Sequence, residues 1–261
     1  MCQIEIRGNS CNSRKVFFVS FVCSCKSLSL DKPAPANYVL RMKVVPKSIA
    51  GLFAALLFVT GAFAQGKGAV IFHEGFTGPL SADWKPFKFT GTTDYRTGMD
   101  GTNHCLIAHS PGTASGLAHA VDAPPQGRLI LTWRWKIDRC PPGGTDTNGV
   151  DTFDHTARVF VAFKTFLGPP RSINYAWGNL MPVGSTFLHP DSGRARFITV
   201  ETGNARAGQW LTESRDVTAD WRRLFPDMEM PEPKAVGVIT DSDGTETTVN
   251  GWYADIELRE E

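Results

Sequence analysis

The sequence predicts an all-β protein: an antiparallel β-sandwich of jelly-roll type carrying one short helix. After Gly66, apolar and polar residues alternate with period two in short runs rich in aromatic and β-branched residues. Clusters such as PPQG, CPPGGTDTNG, LGPP and HPDSG break the runs with turn chemistry. Many short strands with almost no helix stack as two sheets, and a closed barrel is the alternative.

The expected strands, in order, are Ala69–Phe72, Trp84–Phe89, Cys105–His109, Gly116–Val121, Leu129–Asp138, Ala157–Lys164, Ser172–Trp177, Ala195–Glu201, Ala235–Thr240 and Gly251–Leu258. In LTWRWKID, Leu131, Trp133, Trp135 and Ile137 share one face, against Thr132, Arg134, Lys136 and Asp138. The same alternation sets Val159, Val161 and Phe163 against Arg158, Phe160 and Ala162. It also sets Ile173, Tyr175 and Trp177 against Ser172, Asn174 and Ala176. The helix is expected at TADWRRLF, with Thr218 as N-cap and Pro226 ending it.

Ahead of these elements, MKVVPKSIAGLFAALLFVTGAFAQG has the form of a secretory signal peptide. Lys43 and Lys47 precede an apolar run that is too short to span a bilayer, and Ala62-x-Ala64 supplies the cleavage site. Three segments follow: residues 1–41, a disordered extension upstream of a start at Met42; the signal peptide, 42–64; and a single sandwich domain, 65–261. The expected location is periplasmic or extracellular, with no transmembrane anchor after cleavage.

The full chain carries a formal charge of +1, but residues 65–261 hold 19 basic and 24 acidic residues, a net charge of −5. That excludes the basic footprint a nucleic-acid partner needs. Of six cysteines, only Cys105 and Cys140 follow the signal peptide. An oxidising compartment would allow them to pair, but two cysteines make no disulfide framework, and thiols are the simpler expectation.

From about Phe76 to Leu258 the chain carries TDYR, ASGL, WRWKID, FDHTARVFVAF, YAWG, the pair Thr202-Gly203, RDVTAD, GVITDSDGT and YADI. In order and spacing these resemble the bacterial domain of unknown function family 3047. The resemblance implies a secreted or envelope protein of β-sandwich fold, without an established activity. Where the family pattern has two adjacent acids this chain has Phe153-Asp154, and Thr156-Ala157-Arg158 stands where the pattern has Ala-Ala-Arg. Asp154 and Arg158 match.

Chemistry concentrates in two stretches. In DTFDHTARVFVAF, Asp151, Asp154 and His155 offer mixed oxygen and nitrogen metal ligands. A structural reading pairs Asp154 with Arg158 across the strand entrance. A ligand-binding reading joins Arg158 to Arg134 and Lys136 on one polar sheet face, where guanidinium groups suit an acidic or neutral sugar. Of Trp133, Trp135, Trp177, Trp210, Trp221 and Trp252, most are assigned to the core, and Tyr175 or Trp177, near a strand end, is the expected stacking partner. In ITDSDGTETTVNGWYADIEL, Asp241 and Asp243 resemble a calcium-loop fragment, but the spacing of an EF-hand is missing, and a tight turn explains the same residues. Glu74 on the first strand and Asp255 on the last stand where jelly-roll carbohydrate modules often hold a structural calcium.

No G-x-S-x-G or H-E-x-x-H occurs. The expected function is therefore binding of a glycan or another cell-envelope component on a polar sheet face. The alternatives are a polysaccharide hydrolase or lyase using Asp154, Glu201 or Asp220 as acid or base, and a purely structural envelope protein.

Overall fold

The computed structural model describes residues 68–121, 127–145, 153–165, 169–189 and 192–261. The proposed extension, the signal peptide, its cleavage site and Asp151 lie outside the described residues.

The strands are β1 (Val70–Glu74), β2 (Trp84–Thr90), β3 (Asp94–Asp100), β4 (Asn103–Pro111), β5 (Ala114–Ala120), β6 (Leu129–Ile137) and β7 (Arg158–Phe163). They continue as β8 (Arg171–Gly178), β9 (Thr186–His189), β10 (Ser192–Thr202), β11 (Leu211–Asp216), β12 (Pro233–Asp241) and β13 (Thr248–Glu260). One helix, α1 (Val217–Leu224), follows β11. Two open sheets result. The six-stranded sheet runs β11-β6-β13-β4-β3, with β1 also pairing β13, and the seven-stranded sheet runs β2-β5-β12-β7-β8-β10-β9. Pairing is antiparallel except between β8 and β10, which run parallel.

The alternation read from sequence assigns the two faces of each sheet. Leu131, Trp133, Trp135 and Ile137 from β6 meet Val159, Val161 and Phe163 from β7 and Ile173, Tyr175 and Trp177 from β8 in one core, all at 1% exposure or less. Trp133 lies against Tyr175 with ring centroids 5.3 Å apart, and Trp135 against Trp177 at 5.5 Å. These contacts join the two sheets. Burying an aromatic side chain of this size stabilises by about 1.5–3 kcal/mol.

Three strands carried no clear signal in the sequence: β3, β9 and β11. Each is the edge of a sheet, so few of its residues are buried and alternation has little apolar content to show. The helix N-cap also differs from expectation. Asp216, not Thr218, accepts the Ala219 N–H at 2.8 Å. Thr218 lies inside the helix, where its hydroxyl accepts the Leu129 N–H at 2.9 Å and ties α1 to β6. Arg215 grips Asp220 at 2.6 and 3.0 Å, anchoring the helix to the sandwich.

Candidate functional site

The outer side of the seven-stranded sheet is unusually apolar. Two small clusters lie on it, separate from the main core: Phe160, Ala162 and Ile239 with Phe87, Ala118 and Ala235, and Phe153, Ala176, Phe187 and Phe197 with Ala195. Small side chains dominate the strand centres and larger rings lie across them. A Cβ on Gly237 would come within 2.4 Å of the Phe160 ring, and one on Gly116 within 2.5 Å of the Phe87 ring. Glycine at these two positions therefore lets the rings lie close to the sheet.

Over this face opens a cavity of about 610 Å3. Phe87 and Phe89 wall one side, Phe153 and Phe197 the other, and Phe160 and Ile239 lie between them. Phe89 is 66% exposed. Arg158, Asn174, His189, Asp241 and Asp243 add polar groups to the lining.

The Arg158–Asp241 pair is deeply buried: Arg158 Nη2 donates to Asp241 Oδ2 at 2.5 Å. This corrects the expected Asp154–Arg158 pair. Asp154 instead accepts the Gly244 N–H at 3.1 Å, the Thr245 N–H at 2.7 Å and the Thr245 hydroxyl at 2.6 Å, which fixes the turn after β12. Register explains the switch. Arg158 lies opposite Ile239 on the paired strand, and Asp241 follows two residues later on the same face. Burial pushes the Asp241 carboxyl well above the usual carboxylate range; Arg158 pulls it down, while Asp243 and Asp154 push it further up.

The expected polar face is divided between the two sheets. Arg134 and Lys136 lie on the outer side of the six-stranded sheet, whereas Arg158 belongs to the other sheet. Around Lys136 the outer side carries two half-buried tryptophans. Its ammonium lies 4.2 Å from the Trp252 ring centroid and 5.8 Å from that of Trp210, and the Arg134 guanidinium lies 5.1 Å from Trp210. Lys136 donates to Asp100 at 2.5 Å and holds that carboxyl below its usual range. Trp210 and Trp252 are thus exceptions to the expectation that most of the tryptophans lie in the core, which Trp133, Trp135, Trp177 and Trp221 meet.

Tyr175 and Trp177 are also corrected, because both point inward. Tyr175 donates to Asp220 at 3.1 Å and Trp177 to the Gly203 carbonyl at 2.9 Å, so neither offers a ring to a ligand. Of the expected binding residues, Arg158 lines the cavity; Asp154 stands beside it through the 243–245 turn. Phe87, Phe89, Phe153, Phe197, Asn174 and His189 were missed. The spacing of Phe87 and Phe89 in WKPFKFT, two apart in one strand, was a legible signal for a shared face.

The acids proposed for metal binding separate into two groups. Glu74 accepts the Phe76 N–H at 2.6 Å and the Trp84 indole N–H at 3.2 Å. Asp255, at φ 48° in a β13 bulge, accepts Arg134 at 2.9 Å. These two carboxylates therefore serve as hydrogen-bond acceptors within the fold. By contrast, Asp154, Asp241 and Asp243 bring carboxylate oxygens within 4.8 Å of one another. Among the acid/base candidates, Glu201 pairs with Arg206 at 2.6 Å and Asp220 with Arg215; neither lines the cavity. Cys105 and Cys140 are buried thiols that are not joined to each other, and burial pushes the Cys105 thiol up to about 11.

A family described as "Protein of unknown function (DUF3047)" matches residues 82–257, which include both walls of the cavity. The chain belongs to the DUF3047 family. No curated protein matches this DUF3047 chain in sequence. Solved structures similar to it include the CBM22-1 xylan-binding domain of Xyn10C from Paenibacillus barcinonensis, with 8% identity and a TM-score of 0.41 over 74% of this chain and 96% of that one. The K3 cleaved adhesin domain of Lys-gingipain from Porphyromonas gingivalis is 10% identical, with a TM-score of 0.38 over 74% of this chain and 100% of the other. The xyloglucanase domain of NopAA from Sinorhizobium fredii is 9% identical, with a TM-score of 0.39 over 70% and 97%. Likeness at this level says nothing of a ligand. No helix among the described residues is long and apolar enough to cross a membrane.

Proposed function

We propose that the protein binds a glycan, or another component of the cell envelope, in the cavity over the seven-stranded sheet. One observation carries this reading: an aromatic-walled cavity of about 610 Å3 opens on a sheet face that would otherwise be solvated and polar, with Phe89 66% exposed at its wall. Its volume falls in the range of roughly 300–1,000 Å3 typical of ligand sites, and exposed apolar surface of this kind marks binding grooves. Pyranose rings present C–H faces for phenylalanine and hydroxyls for the polar groups of the lining, among them Asn174 and His189. The reading goes with export by the 42–64 segment, for which intact-mass analysis should find a mature N-terminus at Gln65. A mass retaining residues 42–64 would contradict cleavage.

A glycan array followed by isothermal titration of each hit tests the binding reading. Phe87→Ala should weaken a true hit by roughly tenfold, equivalent to about 1.4 kcal/mol. Unchanged affinity would remove the cavity as the binding site.

A further inference from the structure

The polar end of the cavity holds an electrostatic arrangement that hydrogen bonding within the protein does not complete. Asp241 is 6% exposed; its Oδ2 takes Arg158, while its Oδ1 is sealed from solvent and accepts no N–H or hydroxyl hydrogen bond. A buried acceptor left in that state is costly, and native folds rarely keep one. Oxygens of Asp154 and Asp243 stand within 4.8 Å, so the sealed carboxylate faces further negative charge instead of a donor. With all three ionised, the carboxylates against the one guanidinium of Arg158 would carry a formal charge of −2. The fold nevertheless fixes them there: Asp241 ends β12, Asp243 follows in the turn, and Asp154 clamps that turn through Gly244 and Thr245.

We propose that a divalent cation of the calcium type binds between Asp154, Asp241 and Asp243. One such ion balances that formal charge and gives Asp241 Oδ1 a positive partner. The donors are all carboxylate oxygens, with no imidazole or thiolate, which favours a hard cation over zinc or copper. Calcium takes six to eight oxygen ligands at about 2.3–2.6 Å and tolerates irregular geometry. Bound here, it ties the end of β12 to the segment entering β7 and stiffens that end of the cavity. The inference does not depend on what the cavity binds.

The test uses the full chain stripped with EDTA and then dialysed free of chelator. Added calcium should raise the thermal unfolding midpoint in a saturable way, and titration calorimetry should report one site occupied by roughly millimolar calcium. Asp243→Asn, at a half-buried turn position, should fold normally by circular dichroism and lose both responses. Magnesium should act more weakly and zinc should not compete. No midpoint shift and no heat at millimolar calcium would overturn the proposal and leave the acids sharing a proton; a calcium response that survives in Asp243→Asn would place the ion elsewhere and overturn it equally.

Discussion

At Arg158 the physics of a single residue overrides its neighbours in sequence. Asp154 is four positions away, yet the strand register delivers Arg158 to Asp241, 83 residues further on, in a site sealed from water. Replacing Arg158 with Met should cost about 1–3 kcal/mol, because Asp241 Oδ2 is then a buried acceptor without its donor; urea unfolding measures this. A loss below about 1 kcal/mol would mean that the pair is far more hydrated than its 4% and 9% side-chain exposures indicate. Cys105 supplies a second test. Its folded-state thiol lies at about 11, above the ordinary value of 9.0, so its stabilising preference for the neutral form is intact below pH about 9 and is lost as pH rises through about 11. Iodoacetamide at pH 7.5 should leave the Cys105 peptide unmodified in the native protein and label it after denaturation. Native labelling would contradict its burial. Neither property was legible in sequence, since a partner 83 residues away and a buried thiol leave no local pattern.

Elements were legible where burial is strong. The central strands β6, β7 and β8 were placed correctly, with the right residues on each face, because both alternation and apolar content are high there. The edges β3, β9 and β11 were invisible for the opposite reason. Glycine carries an element-scale consequence at β12. Gly237→Ala drives a methyl into the Phe160 ring and the Leu117 carbonyl, both at 2.4 Å, so a loss of about 1–3 kcal/mol is expected, together with displacement of the Phe160 ring. A neutral result by chemical denaturation would show that ring to be loosely held. At α1, Asp216→Ala should cost about 1 kcal/mol through the lost cap, and an unchanged unfolding midpoint would return the capping role to another residue.

For the whole molecule, the two sheets bury one face each and leave two outer faces to solvent. Sequence indicated a ligand face and found its charged residues, but it could not tell that Arg134 and Lys136 lie on one sheet and Arg158 on the other, because sheet order is set by long-range pairing. The six-stranded face is filled internally: its cations rest on Trp210 and Trp252 and pair with Asp100 and Asp255. Across the molecule, the cavity and the exposed Phe89 belong to the seven-stranded face. The most direct test titrates an array-selected glycan into the wild type, Phe89→Ala and Lys136→Ala. The account predicts roughly tenfold weaker binding for Phe89→Ala and unchanged binding for Lys136→Ala; the reverse pattern would place the ligand on the six-stranded face and contradict the account.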